Sequence, residues 1–136
     1  MSKITITELQ DKIEIPDNIN EIIFEGKYIP EWVREELDNK PCNELVSIKG
    51  KELIEIDLAI FFSCWGNIRE IITPIATLEN SMLNLKHFVR LQILYCEYID
   101  PLCTMPVTIK QFVSTCSYAY KAFNNRYNYV EGVDNN

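Results

Sequence analysis

Polar and apolar residues alternate from Lys3 to Thr7, with Ile4 and Ile6 on one side, which predicts a short strand. Thr7-Glu-Leu-Gln10 has the spacing of a capping box. Pro16-Asp-Asn reads as a turn, and the apolar run Ile22-Ile-Phe24 ends at Gly26. Pro30 suits the first position of a helix and Glu31 its positive end; Trp32, Val33 and Leu37 give that helix one apolar face through about Asn39.

From Glu44 the pattern is denser. Val46 and Ile48 alternate with Ser47 and Lys49, and Ile54 and Ile56 with Glu55 and Asp57. Gly50 stands between the two runs, where a reversing turn needs a positive φ, so residues 44–57 predict a β-hairpin turning at Lys49-Gly50-Lys51. Asp57 suits the N-cap of a buried short helix over Leu58–Phe62. Asn67, after Gly66, caps a second one through Ile68, Ile71 and Ile72, which Pro74 ends. Ser81–Leu85 predicts a third strand. Over Lys86–Asp100, Phe88, Leu91, Tyr95 and Tyr98 fall at helical spacing, and Val89, Ile93, Leu94, Cys96 and Ile99 widen the stripe; this predicts a helix central to the core. Thr108-Ile-Lys-Gln111 is a second capping box, heading a helix with Ile109, Phe112, Val113, Cys116, Tyr120 and Phe123 on one face. The Asn-rich tail after Arg126 is expected to fray.

Composition narrows the class. The chain has 136 residues, 47% hydrophobic, enough for a packed core and too apolar for a disordered chain. Its net charge of −7 disfavours phosphate backbones and anionic lipid surfaces, so neither direct nucleic-acid nor membrane binding is expected. The apolar stretch around Ile56–Trp65 falls short of the roughly 20 residues of a membrane span, and no apolar signal segment follows Met1. The expected location is intracellular, cytoplasmic or nuclear. The charge is uneven: residues 1–44 hold 11 acids and 5 bases, and the remaining 92 residues carry only −1. That acidic third reads either as a solvated, weakly packed lobe or as an arm that docks on a basic partner.

Candidate chemistry is sparse. Cys42, Cys64, Cys96, Cys103 and Cys116 are an odd number without a CxxC pair, which reads as structural thiols rather than a disulfide framework or zinc site. His87 is the single histidine and has no nucleophile or orienting residue spaced around it, so it reads as a cap or surface residue. Glu35 and Glu36 point apart on a helix, and four glycines leave no phosphate cradle. No enzyme activity, cofactor or metal is expected. Trp65, where two short helices meet, suits either core packing or an interface hot spot; Tyr118 lies off the apolar face of its helix and suits a surface.

The order from residue 44, hairpin, two short helices, strand, long helix, helix, resembles the BTB/POZ fold, more closely its Skp-type and Elongin C adaptors. Gly50-Lys-Glu-Leu-Ile-Glu-Ile-Asp57 is similar to the second hairpin strand of that group. Ser63 with Asn67-Ile-Arg-Glu-Ile-Ile72 looks like its first helix with two extra residues. Leu83-Asn-Leu85 with Phe88, Leu91 and Tyr95 looks like its strand and long helix, and Ile109–Tyr120 like the next helix, with Thr115-Cys-Ser-Tyr118 where the family pattern reads Ala-Ala-Asn-aromatic. The sequence departs in having an additional residue 1–43 segment, no His-Lys ahead of the first helix, and no second helical pair after Phe123. The resemblance implies an α+β fold, a small sheet with a β-hairpin packed against helices, over 44–123, with an acidic extension (1–43) and a tail (124–136). It also implies a non-catalytic adaptor joining a cullin-type ubiquitin-ligase scaffold to a substrate receptor, with Trp65, Asn67, Ser117 and Tyr118 on the partner-binding surface. Homo-oligomerisation is that fold's other habit. A rival reading is a small acidic inhibitor that mimics nucleic acid in a basic groove; Glu14, Asp17, Glu21 and Glu25 come near the spacing it needs, but Pro16 and Ile22-Ile-Phe24 interrupt it.

Overall fold

An apolar residue, preceded three positions earlier by another apolar residue and followed two positions later by a further buried one, recurs along the chain, and each recurrence lays down one strand of the main sheet. In the computed structural model, which describes residues 2–40 and 42–114, the elements are β1 (Lys3–Thr7), β2 (Glu21–Glu25), α1 (Trp32–Asp38), β3 (Ser47–Lys49), β4 (Glu55–Asp57), a 3₁₀ turn at Leu58–Phe61, β5 (Glu70–Ile72), β6 (Thr77–Glu79), α2 (Ser81–Asn84), a 3₁₀ turn at Leu85–His87, β7 (Ile93–Cys96) and β8 (Gln111–Ser114). Six strands form one sheet in the order β1-β2-β3-β5-β7-β8, every neighbouring pair parallel. The chain is therefore wound as a coil that adds one strand per turn, with β4 and β6 paired, also parallel, as an outer layer.

The core follows from the register. Ile4, Ile22, Ile48, Ile71, Leu94 and Phe112 stand in one row across the sheet, 18, 26, 23, 23 and 18 residues apart. Three residues earlier in the last five turns come Ile19, Leu45, Ile68, Leu91 and Ile109, all buried. Two residues later come Phe24, Gly50, Thr73, Cys96 and Ser114, also buried. The buried hydroxyls there are paired: Thr73 Oγ1 donates to the Tyr95 carbonyl at 3.1 Å and Ser114 Oγ to the Glu97 carbonyl at 2.7 Å. At the strand entrances one carbonyl serves two amides of the next turn: Val46 O accepts from Arg69 and Glu70, Arg69 O from Gln92 and Ile93, and Gln92 O from Lys110 and Gln111.

The strand at Lys3–Thr7 and the helix after Pro30 form as the sequence predicts, and Asp57 caps its turn by accepting from the Ala59 amide at 2.9 Å. Thr7 and Gln10 close a turn rather than a helix. Gln10 Oε1 accepts from the Thr7 amide and Thr7 O from the Gln10 amide, which occupies the outward backbone groups at one end of edge strand β1.

The expected hairpin at 44–57 is not formed. β3 lies between β2 and β5, β4 pairs with β6, and the chain turns a corner between them. Gly50 is there for space, not for a positive φ: a Cβ at Gly50 would come within 2.5 Å of Leu53 Cδ1, while the glycine with φ +106° is Gly26. The helices expected over 67–72, 86–100 and from 108 are replaced, in the described residues, by β5, β7 and β8, and the strand expected at Ser81–Leu85 is α2. The cause is common to all three strands. In β5, β7 and β8 the outward Ile72, Ile93, Tyr95 and Val113 are as apolar as the core-facing Ile71, Leu94 and Phe112, so these runs carry little alternation and mimic a buried helix. The mixture of strands and helices that the sequence implied is present, as a mostly parallel six-stranded sheet with few helices; the hairpin and long helix that carried the family resemblance are not.

The boundary drawn at 43/44 runs through the sheet: β2 pairs with β3 across it, and one core continues from Ile6 to Phe112. The acidic third is packed, with Ile6, Ile15, Ile19, Val33 and Leu37 buried. Buried Glu36 accepts from the Ile15 amide at 3.0 Å and pairs with Lys40 Nζ at 3.3 Å, and Lys40 in turn donates to the Ile15 carbonyl at 2.9 Å, so α1 clamps the preceding loop. The 124–136 tail lies outside the described residues.

Candidate functional site

Each strand of the six turns one set of side chains into the core and the other away from it. Two rows line the outward face. One runs Lys3, Glu21, Ser47, Glu70, Ile93, Gln111; the next runs Thr5, Ile23, Lys49, Ile72, Tyr95, Val113. Among the described residues no helix or strand packs over this face. Its two halves differ chemically. Toward β8, half-exposed Ile72, Ile93, Tyr95 and Val113 stand on adjacent strands, and at about 4.8 Å per strand they make an apolar stripe roughly 10 Å across. Gln111 Nε2 donates to Tyr95 Oη at 3.0 Å and fixes the phenol at the edge of that stripe.

Toward β2 the face is charged. Lys49 Nζ lies 3.2 Å from Glu21 and 3.8 Å from Glu70, and Ser47 Oγ donates to Glu70 at 2.8 Å. Glu21 is 7% exposed, so its charge stands in the sheet only because Lys49 lies over it. Fixed alternating charges beside an apolar stripe provide what a protein-binding surface needs: area to bury, and an orienting pattern that penalises a wrong register.

Trp65 and Asn67, singled out from sequence, are not on this face. Trp65 is half-buried beyond the 3₁₀ turn at Leu58–Phe61. Its indole donates to the Leu58 carbonyl at 3.1 Å, stacks on exposed His87 at 4.5 Å with planes 5° apart, and meets exposed Phe62 edge-on at 6.2 Å. Trp65 also packs against Phe88, its ring centroid 6.1 Å away. Asn67 closes the turn after it, its amide donating to the Cys64 carbonyl at 3.0 Å. Ser117 and Tyr118 lie outside the described residues. The carboxylates named for the acidic-inhibitor reading do not share one exposed face: Glu21 is in the sheet, and Glu14 and Asp17 face Lys40 at 3.5 and 3.9 Å.

Of the thiols, Cys42 and Cys64 are buried and unbridged and Cys96 and Cys103 are buried; Cys116 lies outside the described residues. Burial, with the nearby Cys42 thiol adding to it, pushes the Cys64 thiol up to about 12, which keeps it protonated and unreactive. Among the described residues no cluster of three His, Cys, Asp or Glu side chains is arranged to hold a metal, and no helix is long and apolar enough to cross a membrane.

Sequence reasoning missed Ile72, Ile93, Tyr95 and Val113. The signal was available: each stands next to the middle residue of an apolar-x-x-apolar-x step that recurs every 18–26 residues. Comparison of the chain with protein-family models, with curated proteins and with solved structures finds no match.

Proposed function

We propose that the chain is a short repeat solenoid of leucine-rich-repeat type that recognises another folded protein through the outward face of its six-stranded sheet. The repeat length and the apolar-x-x-apolar-x step support the class. The observation that carries the binding surface is the half-exposed stripe Ile72–Ile93–Tyr95–Val113, uncovered among the described residues and bordered by the Glu21–Lys49–Glu70 charges. A rigid parallel ladder holds these side chains at fixed spacing, so little conformational entropy is lost when a partner covers them.

Photo-crosslinking tests the reading. A photoreactive phenylalanine analogue placed at Tyr95 or Val113 should give a discrete adduct with one protein in native extract, and the same analogue at exposed Leu9 or Val107 should not. Purified partner should then lose at least tenfold in affinity for the Tyr95→Ala, Ile72→Ala double variant, as it does when a central apolar anchor is removed. Adducts from the control positions alone would place the partner elsewhere.

A further inference from the structure

The outer layer of the coil contains a gap beside an open strand edge. Backbone bonds cross this layer from turn to turn: Ile54 N donates to Lys27 O, Thr77 N to Ile54 O, and Leu78 N to Tyr98 O. In the later turns the contact extends into paired strands, β4 with β6, and a bridge from Thr77 to Tyr98. In the turn that holds Lys27 it does not. Pro30 lacks the amide a ladder needs, Ile29 precedes it, and the chain leaves to form α1. What remains is a groove of about 620 Å³ between β4 and the Tyr28–Arg34 segment.

Its walls are specific. Ile56 and Ile60 contribute apolar surface from the β4 side, Tyr28 and Ile29 from the other. Because Ile54 O accepts from Thr77 while Ile54 N donates to Lys27, the peptide groups that follow alternate in side: Glu55 turns its own N–H and C=O toward the groove and Ile56 turns its own toward β6. Four carboxylates, Glu31, Glu55, Asp57 and Glu79, line it against one cation, Arg34. Among the described residues no Lys or Arg pairs with any of the four. Glu79 feels the crowding: burial first, then the neighbouring Glu55 and Asp57, push its carboxyl above the ordinary range.

We propose that this groove takes an extended segment of a partner protein bearing lysine or arginine at alternate positions, which adds as a further strand to the open edge of β4. The missing strand sets the extended form, and the four carboxylates, with which no described Lys or Arg pairs, set the charge. The apolar walls seat the residues between the cations. This surface is separate from the outward face of the six-stranded sheet and does not rest on it.

The test uses a fluorescein-labelled Val-Lys-Val-Lys-Val-Lys peptide in an anisotropy titration at low salt. Saturable binding is expected, at least tenfold tighter than for the Val-Glu counterpart. It should weaken at least tenfold in the Glu55→Lys, Glu79→Lys double variant and several-fold in Glu79→Gln, the conservative variant that serves if the double one does not fold. Methylating the amides of alternate residues, in each of the two registers, should abolish binding in one register. Tyr95→Ala on the sheet face should leave binding unchanged. No saturable binding of the lysine peptide, equal binding of the glutamate peptide, indifference to methylation in both registers, or loss of binding in Tyr95→Ala alone overturns the proposal.

Discussion

Gly50→Ala separates the corner seen in the structure from the reversing turn its sequence suggests. The φ at Gly50 is not positive, so alanine meets no backbone strain there. The added methyl would instead stand 2.5 Å from Leu53 Cδ1 and 2.8 Å from its Cγ. Leu53 is fully buried and cannot swing into solvent. Overpacking of this kind costs about 1–3 kcal/mol. Against it, alanine restricts the unfolded chain, a gain of about 0.4–1 kcal/mol. The net expectation is a loss of about 0.5–2 kcal/mol in urea melts with an unchanged m-value. Leu53→Ala by itself should cost about 2–5 kcal/mol as a large-to-small core change. In that background the clash is gone, so Gly50→Ala should turn neutral or stabilising, by up to about 1 kcal/mol. The sign reversal is the diagnostic, read as the coupling energy of a double-mutant cycle. A turn that needed a positive φ would lose the same amount in both backgrounds, and that result would refute the corner packing.

Three further outcomes are expected. Leu94→Ala should cost about 2–5 kcal/mol and Ile93→Ala clearly less, because adjacent residues of β7 face opposite sides; equal costs in denaturant melts would remove the face assignment. The Ile15 amide, and then Lys40, hold the Glu36 carboxylate below its ordinary range against the opposing effect of burial. A folded-state pKa below the unfolded one contributes stability that is present above the ordinary carboxylate range and lost as pH falls through the lowered value. Glu36→Gln should therefore flatten the acid limb of urea midpoint against pH, and an unaltered limb would exclude the clamp. Cys42, Cys64, Cys96 and Cys103 should alkylate far more slowly at pH 8 in the native protein than in urea, with Cys64 slowest; mass spectrometry showing rapid native labelling of Cys64 would contradict its burial.

Local chemistry was legible in the sequence wherever a single side chain decides a single backbone bond. The alternation of Lys3–Thr7, the stop at Gly26, the helix after Pro30 and the Asp57 cap need only neighbours in the chain, and all are present. The strands of the second half were not legible as strands, because Ile71, Leu94 and Phe112 face the core while Ile72, Ile93 and Val113 stand on the opposite side, and an apolar run on both faces has no period of two. The recurrence of apolar-x-x-apolar-x was written in the sequence, but at unequal intervals, and its meaning lies in register: only parallel pairing brings residues 18–26 positions apart into one row. The apolar stripe on the sheet, the Glu21–Lys49–Glu70 charges and the gap beside β4 are made by residues from different turns, so the tertiary structure alone decides them.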